Sequence, residues 1–268
     1  MQPSLIQNKY QLQQCIGQGK FGKVFLGQNI YTNSPVAIKM ETKDVSLLKR
    51  EATFLRYLHD RGATKYIPTL LWFGVSQEQP CLVMSYCSDG ILANLTIHRI
   101  SQCISALEAI HKHQVVHRDI KPQNFMLTMH GTVQLIDFGL ADFIYDNPDS
   151  EPGDKTTILG TPRYASPYIH LGKVYTYRDD MISLGYVFIH LLTNGEYPQR
   201  PNINPSTTTT FPVESIHHPT NVEIAQSKKI DRLRGCNFPP IIQYLEYFYS
   251  IKPNDPIDYE AAIRMFTE

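Results

Sequence analysis

His117-Arg118-Asp119-Ile120-Lys121-Pro122-Gln123-Asn124, followed thirteen residues later by Asp137-Phe138-Gly139, is the stretch on which the fold of this 268-residue chain turns. An aspartate after arginine can take up the proton of an attacking hydroxyl. An asparagine five residues on and an aspartate eighteen on can share divalent cations that neutralise nucleotide phosphates. Lys121 lies where it can reach a terminal phosphate. Taken singly, these residues could be helix caps or turn residues; the joint match of both spacings argues against that. The chemistry written here is phosphoryl transfer, and it needs a nucleotide cradle elsewhere in the chain.

Upstream, Gly17-Gln18-Gly19-Lys20-Phe21-Gly22-Lys23-Val24 fits G-x-G-x-x-G-x-V, whose glycines let backbone N–H groups come close to phosphates. A dinucleotide-binding reading needs the third glycine to open a helix, whereas Val24-Phe25-Leu26 continues as a strand and predicts a hairpin. A plain β-turn is the bland alternative. Val36-Ala37-Ile38-Lys39 places a lysine at the end of an apolar strand, and Glu51 follows twelve residues later beside a helical apolar stripe. An ion pair between them would orient the lysine on phosphates, against the alternative of two solvated surface charges.

The first ninety residues read as strands with turn punctuation, apart from a helix over about 45–58 carrying Leu47, Leu48, Phe54, Leu55 and Leu58. Gly90 marks the change to a mainly helical pattern, in which Ile97, Ile100, Ile104, Leu107 and His111 recur at helical spacing and Val115-Val116 forms a short strand. Residues 140–160 are acidic and turn-rich and read as a surface loop. Asp180 to Leu192 is apolar nearly all round and closed by Asn194-Gly195, so a buried helix is predicted there. Residues 198–220 hold five prolines and the Thr207–Thr210 tract, and read as a loop.

Composition narrows the partners. Twenty-five basic and twenty-five acidic residues cancel, so no whole-surface field draws the protein to nucleic acid or anionic membrane. Five cysteines without a C-x-x-C pair suit free thiols in a reducing compartment, cytosol or nucleus. The first ten residues lack the features of a signal peptide, and the apolar stretch Ile182–Leu192 is too short to span a bilayer. His111, His113 and His117 invite a zinc reading, but His117 belongs to the catalytic string and no cysteine lies near in sequence. Lys228, Lys229, Arg232 and Arg234 make a basic run on a predicted helix. Its expected role is a solvated face, with phosphate binding as the alternative.

By these motifs and their order the chain resembles a eukaryotic protein kinase over nearly its whole length, and within that superfamily it is most similar to casein kinase 1. The segments carrying the likeness are 66–74 (YIPTLLWFG), the catalytic string ending Asn124-Phe125-Met126-Leu127, 160–166 (GTPRYAS), His170-Leu171-Gly172, Arg178-Asp179-Asp180 and Ser183–Val187. The usual A-P-E motif is replaced by Ala165-Ser166-Pro167, as in casein kinase 1 proteins. The resemblance implies an α+β, two-lobed kinase fold. A small β-rich N-lobe with one helix would cover about residues 1–85, a hinge 85–90, and a larger mainly helical C-lobe 91–268.

It also implies that Mg2+ and ATP are the cofactors and that the γ-phosphate passes to serine or threonine of protein substrates. Asp119, Lys121, Lys39 and Glu51 would carry catalysis, and Asn124 and Asp137 would hold magnesium. Ile16, Gly17, Gln18, Gly19, Lys20, Phe21, Gly22, Val24, Ala37 and Lys39 would line the nucleotide, with Met84 as gatekeeper and Ser85 and Cys87 in the hinge. Cys87 is either a hinge thiol or a small buried apolar residue. Thr161 and Arg163 would meet the protein substrate, and Lys121 with Thr161 supports the Ser/Thr class.

Casein kinase 1 enzymes favour acidic or already phosphorylated sites, and Arg163 matches the arginine that helps bind such an anion. The family's further basic residues are missing, since no Lys or Arg lies between Arg200 and Lys228, which leaves primed-site preference open. The segment around Gly90 to Leu95 is shorter than in the family. Arg118 is of the kind that pairs with a phosphorylated activation loop, with Thr156 or Thr157 as acceptors. The resemblance instead implies activity without loop phosphorylation. With the chain ending at Glu268, no inhibitory tail is expected, so a constitutively competent, monomeric enzyme is predicted. A nucleotide-binding pseudokinase scaffold is the alternative; it requires a lost catalytic residue, and none is lost. A small-molecule phosphotransferase is disfavoured by Arg118, Thr161 and the glycine-rich loop.

Overall fold

The computed structural model describes residues 5–18, 22–41, 45–88, 90–144, 156–195, 215–233 and 238–267. Gly19, Lys20 and Phe21, the acidic stretch 145–155, most of the proline-rich tract, Arg234 and Cys236 therefore lie outside the described residues. The chain divides into two compact units, one of residues 1–90 with 126–141 and one of residues 91–125 with 142–268.

In the first unit the described strands form a six-stranded sheet in the order β1 (Leu5–Ile6), β2 (Tyr10–Gln18), β3 (Gly22–Asn29), β4 (Pro35–Glu41), β6 (Gln79–Ser85), β5 (Leu70–Ser76), every neighbouring pair antiparallel. Side chains alternate across a strand, so Val36, Ile38 and Met40 point to one face and Ala37 and Lys39 to the other. The first face closes a core with Ile6, Tyr10, Phe25, Cys81 and Val83. On the opposite face Val24, Lys39 and Leu82 stand in one cross-strand row, and Leu26, Ala37 and Met84 in the next. Helix α1 (Val45–His59) packs on β4, β5 and β6 with Leu48, Ala52, Leu55 and Leu58 buried at helical spacing, and Glu51 falls on that same inward face at 1 % exposure.

Two glycines of the hairpin have different reasons. A Cβ on Gly22 would meet the Met40 carbonyl oxygen at 2.2 Å, so the approach of β3 to β4 itself demands glycine there. A Cβ on Gly17 would make only an ordinary contact with Val24 at 3.8 Å. Residues 126–141 add a short ladder of β8 (Phe125–Leu127) with β9 (Val133–Leu135), followed by a 3-10 turn at Phe138–Leu140 that packs against α1.

The second unit is built around α4 (Tyr177–Leu192), which is buried from Arg178 to Ile189. It starts three residues before the predicted Asp180, because Thr176 and Asp179 form a capping box in which each side chain receives the other's backbone N–H. Helices α2 (Ile97–His111) and α7 (Pro239–Ser250) pack on α4, and α8 (Tyr259–Arg264) packs on α2. Gly185 allows the α7 contact, since a Cβ there would lie 2.5 Å from Leu245. The expected surface loop after residue 140 is partly wrong. β10 (Asp142–Phe143) pairs antiparallel with β7 (Val115–Val116), a non-local ladder too short to leave a periodic signal. Helices α3 (Pro167–His170), α5 (Pro219–Ser227) and α6 (Ile230–Leu233) complete the unit among the described residues. No helix among them is long and apolar enough to cross a membrane.

Candidate active site

In the first unit the strand–helix pairing brings together three residues far apart in sequence. The Lys39 ammonium donates to Glu51 Oε2 and to Asp137 Oδ1, each at 2.7 Å. Burial pulls the lysine's pKa down, but the two carboxylates more than offset this and raise it above its ordinary value, so Lys39 is charged throughout the physiological range. Burial pushes the Glu51 carboxyl upward, and the ammonium and the backbone N–H of Phe138 counter it. Asp137 sits in the left-handed region at φ 70°, with its side chain 39 % exposed. That conformation is uncommon for a non-glycine residue, and it aims the carboxylate at Lys39.

The remaining expected nucleotide-lining residues of this unit follow from the sheet. Gly17 pairs with Val24, Val24 with Lys39, and Ala37 with Met84, so these positions run as a stripe across one face. Ile16 is exposed and Met84 buried. At the end of β6, Ser85 exchanges hydrogen bonds with Thr69: its N–H donates to the Thr69 carbonyl and its Oγ accepts from the Thr69 N–H, both at 2.9 Å. Cys87 resolves to the buried alternative: its thiol donates to Gln134 Oε1 at 3.3 Å, and burial pushes its pKa up to about 11.

In the second unit the catalytic string wraps around Asp119. Thr161 Oγ1 donates to Asp119 Oδ1 at 2.7 Å and Lys121 Nζ to Oδ2 at 2.5 Å. The Asn124 amide nitrogen donates to the Asp119 carbonyl at 2.8 Å, which leaves its Oδ1 as the atom able to ligate a cation. The string is held from beneath by Asp180, whose carboxylate accepts from the backbone N–H groups of His117 at 2.8 Å and Arg118 at 3.1 Å. Tyr175 Oη at 2.9 Å and His111 Nε2 at 3.0 Å complete its shell. Burial alone would raise the Asp180 carboxyl; the His111 imidazole and the other donors outweigh it and hold it below the usual carboxylate range.

Arg118 turns through φ 69° and pairs with Asp142 at 2.8 Å. Its carbonyl faces Gly160, where a Cβ would stand only 2.3 Å from it. Thr156 and Thr157 are exposed, yet their backbone is tied to the 215–216 segment by a β-bridge and by the Ile216 N–H donating to the Thr156 carbonyl at 2.8 Å. Arg163 donates to the Gly195 carbonyl at 2.5 Å.

Three residues of weight were missed or misread in sequence. His111, considered for zinc, is wedged between Asp180 and the Tyr259 hydroxyl, 2.7 Å from the latter, and among the described residues no group of three or more His, Cys, Asp or Glu side chains could hold a metal ion. Asp180, which the sequence places in the Arg178-Asp179-Asp180 segment and at the start of an apolar helix, carries the backbone N–H groups of His117 and Arg118. Lys228, expected on a solvated face, is fully buried. The basic run is not one face at all, since Lys229 is exposed while its neighbour turns inward.

The protein kinase domain profile matches residues 10–233 of the chain. The casein kinase I homolog RAG8 of Kluyveromyces lactis is 33 % identical over 211 residues, which cover 70 % of this chain and 38 % of that protein. The aligned part thus spans well under half the length of that curated relative.

Proposed function

We propose, from the premise that the chain belongs to the protein kinase family and is casein kinase 1-like within it, that it is a Mg2+-ATP-dependent protein serine/threonine kinase. The observation that carries this reading is the Lys39 ammonium held 2.7 Å from both Glu51 and Asp137. The pseudokinase alternative has no support, because each polar side chain the chemistry requires is present and engaged.

The donor set fits the cofactors. Magnesium takes oxygen ligands, and the half-exposed Asp137 carboxylate and the Asn124 amide oxygen are of that kind. When bound, Mg2+ neutralises charge on the phosphates of ATP. Lys39 then binds α- and β-phosphate oxygens and Glu51 keeps it oriented. Gly17 makes room for phosphate on a backbone that tolerates a side chain. In the second unit Asp119 accepts the proton of the substrate hydroxyl while Thr161 and Lys121 fix its carboxylate, and Lys121 steadies the transferred phosphoryl group.

Regulation follows from the same residues. The Arg118–Asp142 pair supplies a carboxylate where a loop phosphate would otherwise serve, and the 156–157 backbone is already bridged, so activity is independent of loop phosphorylation. Protein substrates with acidic or primed sites, a monomeric state and a reducing compartment complete the reading; Cys15, Cys81, Cys87 and Cys103 are all unpaired. The test is incubation with labelled ATP and a panel of acidic, primed and basic peptides, before and after phosphatase treatment. Label on serine or threonine that survives phosphatase treatment of the enzyme is expected, and its absence with every peptide would overturn the assignment.

A further inference from the structure

Lys228 is the C-cap residue of α5 and is fully buried, yet among the described residues no carboxylate lies in ion-pair range of it. Its side-chain nitrogen, whose pKa burial pushes well below the usual lysine value, instead donates to the carbonyls of Pro162 at 2.7 Å and Ala165 at 2.5 Å, and lies 3.0 Å from His170 Nε2. His170 Nε2 also sits 3.1 Å from the Pro162 carbonyl, so lysine and imidazole share that oxygen. The Tyr186 ring adds a cation–π contact at 5.1 Å. An amine buried on these terms is costly to fold, which makes its three partners informative.

Two of them are carbonyls of one short turn. Between Pro162 and Ala165 the chain carries Arg163 and Tyr164, and the N–H groups of Tyr164 and Ala165 return to the Thr161 carbonyl at 3.0 and 3.1 Å. Thr161 is the residue that holds Asp119. Ala165-Ser166-Pro167 offers no acidic side chain by which this turn could be anchored. Ser166 caps α3 and donates to Asp179, which secures the far end only. Lys228 secures the near end, and it is itself fixed: the Tyr249 hydroxyl donates to its carbonyl at 2.9 Å.

The geometry points to Lys228 as a positioning residue that clamps the 161–165 turn by its carbonyls and thereby presents it to the protein substrate. This rests on the kinase reading above and deepens it. Arg163, half-buried, lies between the clamped carbonyls, with Tyr164 buried beside it, so the clamp sets where Arg163 meets the peptide, whereas ATP binding through Lys39 and Asp137 does not depend on it.

The decisive variant is Lys228→Met, which keeps the volume and removes the donors. Its peptide KM is expected to rise roughly tenfold, the effect of leaving buried carbonyls unsatisfied beside a docking surface, while the KM for ATP stays within about twofold. A general loss of folded enzyme would lower kcat and leave both KM values alone, and that result, or no change, overturns the clamp. Hydrogen–deuterium exchange on the unmodified protein provides a readout that needs neither the variant nor activity. The amides of Tyr164 and Ala165 should exchange as slowly as those of α4, and exchange as fast as an exposed loop would refute the clamp even if Lys228→Met fails to fold. Absence of peptide phosphorylation by the unmodified protein would reject the kinase reading instead, with the exchange result still deciding the clamp.

Discussion

The Thr161 hydroxyl donates to Asp119 Oδ1 at 2.7 Å while Lys121 holds Oδ2 of the same carboxylate at 2.5 Å. With both oxygens engaged, the carboxylate is restrained from swinging about its Cβ–Cγ bond, and a base held in this way meets an incoming hydroxyl in a defined orientation.

Asp119→Asn should therefore lower kcat by about 10²–10⁴-fold with little change in ATP affinity. Thr161→Val, which keeps the shape and removes the donor, should lower it by roughly tenfold. Steady-state kinetics at saturating ATP measure both, and full transfer activity in Asp119→Asn would end the assignment of the base.

Lys39→Met leaves Glu51 and Asp137 facing each other without their shared cation. A cost of about 2–4 kcal/mol is expected, below that of a sealed pair because Lys39 and Asp137 keep 21 % and 39 % exposure. Adding Glu51→Leu should return part of it, since the uncompensated buried carboxylate is then gone. Thermal or denaturant unfolding of the two variants decides this, and an unchanged midpoint for Lys39→Met would show that the triad adds no stability.

Gly17→Ala and Gly22→Ala should separate the two roles of the glycine motif. The first leaves the melting temperature almost unchanged and weakens nucleotide binding. The second destabilises by about 1–3 kcal/mol, because its Cβ would stand 2.2 Å from the Met40 carbonyl oxygen. Melting curves with and without Mg-ATP test the pair, and equal stability of both variants would contradict it.

Cys87 should resist alkylation. With a thiol pKa of about 11, roughly one molecule in ten thousand carries the thiolate at neutral pH, and Cys81 and Cys103 are likewise buried and raised. Iodoacetamide followed by peptide mass spectrometry should find Cys15 modified well before these three. Rapid labelling of Cys87 would show that the thiol is not sealed against Gln134.

His170 should impose an acid limb on stability. Burial first, and then the Lys228 charge, push its pKa from 6.5 down to about 3. Below pH 6.5 the unfolded chain takes up a proton that the folded protein refuses, so this contribution is complete above 6.5 and is lost as pH falls towards 3. One such proton gives a slope of at most ~1.4 kcal/mol per pH unit. Urea unfolding from pH 7 to 4 should show it, and His170→Asn should flatten it; an unaltered slope would assign the limb to other groups.

Much of this was legible from residues alone, for reasons that differ by site. The β2–β3 hairpin could be told from a dinucleotide-binding turn because Val24-Phe25-Leu26 continues as a strand. The Lys39–Glu51 pair followed from a strand end and a helix stripe twelve residues apart. Asp137, ninety-eight residues from Lys39, shares its ammonium in a way that no local pattern signals. The true start of α4 had a signal, Thr176 with Asp179 three residues on, that the apolar run overshadowed. Lys228 had none: a charge pattern reports sign, and its burial comes from packing against a turn some sixty residues earlier.

Gly160 is where the second unit is most exposed to a single change. At φ 87°, and with a Cβ there only 2.3 Å from the Arg118 carbonyl oxygen, the position excludes even a methyl group, and its immediate neighbour is the threonine that grips the Asp119 carboxylate. Alanine at 160 would act as a wedge, prying that grip open and leaving the Lys39 triad untouched. Such a protein would still hold nucleotide while having nothing to do with it, a silenced partner for cell experiments made without altering any reactive side chain.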